Sequence, residues 1–166
     1  MKKQNGIGLL ELMLALGVIA LLLVMATRYY NQTRRAEMIN DASRVAAFTL
    51  AGAKNWKGGR TSYEELTSFA VLEQSGLAPD GITVTNGASG ELPRWQSCPG
   101  EINIAWDTSE KKVKLQFSNI SDQLCRGLQA RMNSTSDPTL DNSECSAGAG
   151  SSGSCDSTWF VYMNDI

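Results

Sequence analysis

Residues Ile7–Thr27 form an apolar run broken by one charge, Glu11, and preceded by Lys2 and Lys3. A helix of about 20 apolar residues crosses a hydrocarbon core of about 30 Å, so the run predicts a membrane-spanning helix. No Lys or Arg follows until Arg28, and the chain beyond is long and polar. Lysines before the span and a large segment after it predict an N-terminus in the cytoplasm and a C-terminus outside. A secretory signal peptide starts in the same way. This run is longer than the usual signal core and contains Glu11. Its only small-x-small end, Val24-Met25-Ala26, is a poor cleavage site. An anchor is the favoured reading.

The pattern then changes period. Ile39, Ala42, Ala46, Leu50 and Ala53 recur at spacings of three and four, with Met38 and Val45 alongside. That is one apolar face of an amphipathic helix. Arg34, Arg35, Glu37, Asp41 and Arg44 supply polar positions, and Lys54-Asn55 followed by Gly58-Gly59 supplies a stop. A single helix from Ile7 to about Lys54 would be roughly 70 Å long. Its first half needs lipid or sister subunits, and its second half offers a stripe to a globular domain. Two helices broken near Arg28–Asn31 are the alternative.

Further along, Ser62 and Glu65 are spaced as a capping box for a helix with Leu66, Phe69, Ala70 and Leu72 facing inward. Ser75-Gly76 ends it and Pro79-Asp80-Gly81 turns the chain. Ile82–Thr85 reads as a short strand and Asn86–Pro93 as a loop. Glu101–Trp106 and Lys112–Phe117 both alternate strictly, and Asp107–Glu110 joins them as a hairpin. Ser121 and Asp122 cap a helix over Gln123–Met132, with Leu124, Cys125 and Leu128 on one face. Asn133–Ser157 reads as loop, and Thr158–Met163 as a terminal strand. The expected class is α+β: one long helix, then a small antiparallel sheet with short helices.

Composition narrows the chemistry. Histidine is absent, which removes the commonest metal ligand and the commonest general base. No phosphate-binding loop, dinucleotide fingerprint or zinc-like cysteine spacing occurs. Gly150–Ser152 has a Gly-x-Ser pattern, but it lies in a Ser/Gly tract and reads as a solvated loop. Enzymatic activity, a cofactor and a metal are therefore not expected. Without residues 1–6 the chain keeps 13 basic and 17 acidic side chains, a net charge of −4, which argues against general nucleic-acid binding.

Glu11 is the residue with a chemical claim. A charge inside a membrane-spanning helix costs about 2.5–3.5 kcal/mol at the centre on insertion scales, so it is functional by default. If the chain is cut after Gly6, the new amine at Ile7 is the only other charge in the apolar segment. The bland alternative is an acidic residue near a helix end that snorkels to the headgroups.

Lys-Lys-x-x-Gly followed by Ile-Gly-Leu-Leu-Glu-Leu-Met resembles the class III leader and N-terminal helix of type IV pilins and their relatives. The resemblance implies cleavage after Gly6 by a membrane prepilin peptidase and methylation of the new Ile7 amine. It also implies polymerisation through the N-terminal helix, with Glu11 at the fifth mature position. The implied parts are a leader over 1–6, a membrane or filament-core half-helix over 7–27, an amphipathic half over 28–57 and a globular head over 58–166. The implied partners are the peptidase, the inner-membrane pilus assembly machinery, the membrane before assembly, and further copies in a helical homopolymer. The implied location is the bacterial inner membrane with the C-terminal domain in the periplasm, then a surface pilus.

The head extends the resemblance to type IVb major pilins of the bundle-forming and toxin-coregulated kinds. Gly-x-Thr-Ser-Tyr follows the long helix at Gly59–Tyr63, Pro79-Asp80 ends a short helix, and Cys155 precedes an aromatic strand. The resemblance implies a Cys125–Cys155 bridge, leaving Cys98 for Cys145. Four cysteines in an exported domain suggest two bridges from three possible pairings, and the nearest-neighbour scheme, Cys145–Cys155 with Cys98–Cys125, stays open. A major pilin leads a minor pilin or type II secretion pseudopilin, with a lone membrane-anchored binding domain third. Ligand contacts, if any, are expected in the loops 86–98 and 133–157.

Overall fold

The computed structural model describes residues 8–85, 88–93, 98–135, 137–141, 143–146 and 155–164. The chain divides into two compact units, Met1–Glu37 and Met38–Ile166. Helix α1 spans Leu9–Lys57, with no break at Arg28–Asn31. The absence of Pro and the lone interior Gly17 before Gly52 leave nothing to interrupt its hydrogen-bond ladder. Within the first unit the helical side chains are exposed throughout, and the apolar stretch has a mean hydropathy of 2.7 with none of it buried. By length and composition it is able to cross a membrane.

In the second unit α1 presents the expected stripe. Ala42, Ala46 and Ala53 are fully buried and Leu50 nearly so, with Met38, Ile39 and Val45 packed at the margin. The remaining elements are α2 (Phe69–Gln74), β1 (Thr83–Thr85), β2 (Ser89–Glu91), β3 (Glu101–Asp107), β4 (Lys112–Ile120), α3 (Asp122–Asn133), β5 (Glu144–Ser146) and β6 (Ser157–Asn164). The strands form one antiparallel sheet in the order β1-β2-β3-β4-β6-β5. Ile102, Ile104, Val113, Leu115, Phe117, Trp159, Val161 and Met163 alternate onto its inner face, all essentially without solvent contact. The Phe117 and Trp159 rings meet edge to face with centroids 5.2 Å apart.

The hairpin stands as expected, with Asp107 opposite Lys112. Its turn is held by the Asp107 carboxylate, which accepts from the Ser109 backbone N–H at 2.9 Å. Strand β4 continues past Phe117 through a bulge where Asn119 takes a φ of 55°, a left-handed conformation that Asn tolerates. Ser121 caps α3 by accepting from the Leu124 N–H at 3.4 Å.

Three expectations need correction. The short helix does not open at Ser62. It begins at Phe69 with Ser68 as N-cap, and residues 62–68 are irregular, with a turn at Glu64-Glu65. The Leu66 carbonyl is taken by the Trp106 N–H at 2.7 Å, which ties the segment to β3 and outweighs the local capping pattern. Asn86–Pro93 is not all loop, because Ser89–Glu91 forms β2 between β1 and β3. Asn133–Ser157 contains β5, an edge strand paired with β6.

Gly90 lets β2 approach the core. A Cβ there would meet Ile82 Cγ2, Ile102 Cγ2 at 2.9 Å and Phe69 Cε1 at 3.0 Å. We predict that Gly90→Val lowers stability by about 1–3 kcal/mol, the usual cost of overpacking. Thermal unfolding of the detergent-solubilised chain measures it, and an unchanged midpoint would refute the close approach.

Candidate functional site

The helix starts on the Gly8 carbonyl, which accepts from the N–H groups of Glu11 at 3.0 Å and Leu12 at 3.2 Å. Glu11 therefore lies in the first turn of α1, where the helix dipole favours a negative charge. Its neighbours are exposed apolar side chains, with Leu9 at 77% and Leu10 at 79% of full exposure. A carboxylate set in an apolar collar gains most from an apolar partner that brings an ammonium group. Gly6 and Ile7, the expected processing pair, lie outside the described residues.

The four cysteines are all bridged, as expected, but the pairing differs from the one the resemblance implies. Cys98 joins Cys155 and Cys125 joins Cys145. Neither Cys125–Cys155 nor the nearest-neighbour scheme holds. Strand β5 is the reason: it sets Cys145 opposite Trp159 on the sheet edge beside α3, within reach of the buried Cys125. Cys155 lies just before β6 begins, and there it meets Cys98.

The late segment is also held by a polar clasp that sequence reading missed. Ser143 is buried, and its N–H and hydroxyl both donate to the Asn133 side-chain carbonyl, at 2.7 and 2.9 Å. The Gln129 amide donates to the Ser143 carbonyl at 3.3 Å. Lys112 pairs with Asp141 at 2.5 Å, and Lys54 of α1 pairs with Asp137 at 3.0 Å. A run of Asn, Asp and Ser carries no periodic signal, so composition alone marks it as loop.

These pairs move two carboxyl groups. The Thr139 hydroxyl and N–H, then Lys54, hold the Asp137 carboxyl down at about 2. The Lys112 ammonium holds Asp141 below its ordinary value. A carboxyl with a lowered folded pKa stabilises the fold above its unfolded value and stops doing so as pH falls through the folded one. We predict that stability falls as pH drops from 3.8 to about 2, and that Asp137→Asn flattens part of that slope. Denaturant midpoints across this window test it; an identical slope in the variant would reject the contribution.

Two grooves flank the exposed ridge of α1 in the second unit. One, of 620 Å³, runs beside α3 and includes Leu50, Lys54, Arg131 and Met132. The other, of 530 Å³, runs beside the turn after α2 and includes Gly52, Leu77, Pro79 and Asp80. Phe48 stands on the ridge at 58% exposure. Of the loops expected to carry ligand contacts, residues 86–87, 94–97, 136, 142 and 147–154 lie outside the described set.

Residues 1–27 match the family described as the prokaryotic N-terminal methylation motif. That match spans the leader, the Gly6 junction and Glu11, and it supports a pilin-like or pseudopilin precursor processed by a prepilin peptidase. It points to a membrane-anchored structural subunit rather than an enzyme. No curated protein and no solved structure shows significant similarity to the chain.

Proposed function

We propose that this chain is a type IVb-like major pilin, the repeating subunit of a surface filament. The observation that carries the reading is Glu11 at the fifth position after Gly6, in the first turn of an exposed apolar helix. A lone anchor gains nothing from that carboxylate, whereas a bundle of such helices gains register. Each Glu11 meets the Ile7 ammonium of a neighbour, and the two charges are desolvated together. The clamped late segment favours a filament-forming subunit over a pseudopilin, and the grooves beside Phe48 offer seats for neighbouring heads. The subunit waits in the inner membrane with its head in the periplasm, and the pilus assembly machinery draws it into a surface fibre.

Fibre composition tests the reading. Fibres sheared from cells should consist mostly of this chain. A trace amount in fibres built of another subunit would reassign it as a minor pilin.

Processing gives a second test. Gly6→Val should leave full-length precursor in the membrane, because a branched side chain clashes in a peptidase site shaped for glycine. Normal cleavage of that variant, read by mass, would contradict it.

A further inference from the structure

The first turns beyond the apolar run carry cationic and aromatic side chains that the proposed Glu11–Ile7 pairing does not involve. Arg28, Tyr29, Tyr30, Arg34 and Arg35 are all exposed. No acidic residue lies between Glu11 and Glu37, so three arginines stand together without a carboxylate among them. Arg34 Nε donates to the Tyr30 hydroxyl at 2.9 Å, and its guanidinium lies 5.5 Å from that ring's centroid. Arg28 and Arg35 have no partner among the described residues.

Position selects the occupant. From Leu9 to Arg28 the helix advances roughly 28 Å, close to a hydrocarbon core of about 30 Å. Arg28 to Arg35 covers a further 10 Å or so, about the depth of a headgroup layer. Seven residues apart on a helix, these two arginines share one face, while Tyr30 and Arg34 share another. Tyrosine rings settle at that level, and guanidinium groups grip phosphate oxygens in pairs.

We propose that Arg28, Tyr29, Tyr30, Arg34 and Arg35 form a collar that binds anionic phospholipid headgroups on the outer leaflet before assembly. The collar fixes the depth of the span and resists extraction of the subunit. With Lys2 and Lys3 removed, these arginines are the first cationic side chains of the mature chain. The inference rests on the membrane-anchored reading and not on polymerisation, so a failed fibre assay leaves it standing.

The test uses the mature full-length chain in vesicles of equimolar phosphatidylglycerol and phosphatidylcholine, with a trace of either lipid spin-labelled. Spectra report the fraction of each lipid held at the protein. Phosphatidylglycerol should be held about fivefold more than phosphatidylcholine, falling with added salt. The triple variant Arg28→Gln, Arg34→Gln, Arg35→Gln should bring the ratio near one, with helicity and both disulfides unchanged. Equal binding of the two lipids by the wild type would overturn the collar, as would an undiminished preference in the variant. Protection of the arginines only in assembled fibres would also overturn it, assigning them to a second copy's carboxylates such as Glu37.

Discussion

Glu11→Ala should yield a processed, disulfide-bonded, membrane-resident subunit that rarely enters filaments. Removing the charge makes insertion of the isolated helix easier, since a desolvation cost disappears. In the proposed bundle the same change would strand the neighbouring Ile7 ammonium among apolar side chains. Breaking a buried pair from one side costs about 3–5 kcal/mol, which is roughly a hundred- to several-thousandfold in an equilibrium constant. Fibre yield should therefore collapse while the membrane pool rises. Cells that also make wild-type subunit should form mixed fibres, because some neighbouring pairs survive. Immunoblots of sheared and membrane fractions decide it. Normal fibre numbers from the variant alone would mean that Glu11 has no register role and only snorkels to the headgroups.

Cys145→Ser should have the next largest effect. It opens the 20-residue link between Cys125 and Cys145, worth about 3 kcal/mol in the chain-entropy model. It also leaves the buried Cys125 thiol unbridged beneath the sheet edge. Thermal stability should fall by that order, and residues 134–146 should become sensitive to protease. Loss should stop short of full release, because the Ser143–Asn133 clasp and the Lys112–Asp141 pair still hold the segment. The Cys98–Cys155 bridge should persist. Non-reducing peptide mapping of the wild type should recover Cys98 with Cys155 and Cys125 with Cys145. A Cys125–Cys155 peptide would refute the pairing.

What was legible in the sequence was whatever repeats with the period of its element. The α1 stripe from Met38 to Ala53, the alternation of β3, β4 and β6, and the Ser121 cap all carry such a signal. Each element then lies where its period placed it. Strands β2 and β5 are as short as β1, but where β1 has Thr-Val-Thr they contain Gly90 and Ser residues of low strand propensity. They exist because neighbouring strands offer unpaired edges. The start of α2 failed for a related reason: a tertiary hydrogen bond to Leu66 outweighed a local cap. The Cys125–Cys155 pairing implied by the resemblance failed because β5 sets Cys145, not Cys155, beside α3.

The candidate assembly residues and the polar clasp of the late segment divide the same way. Gly6, Ile7 and Glu11 are proposed from their spacing along the chain, which the sequence alone displays. The clasp around Ser143 depends on residues 10 and 14 positions apart, meeting only once α3 and β5 are both formed.

The most direct test of the central claim is the intact mass and N-terminal sequence of this chain recovered from sheared surface fibres. The account predicts a chain that begins at N-methylated Ile7, carries two disulfides and is abundant in the fibre. A chain beginning at Met1, cleavage near Ala26, or absence from the fibres altogether would contradict it.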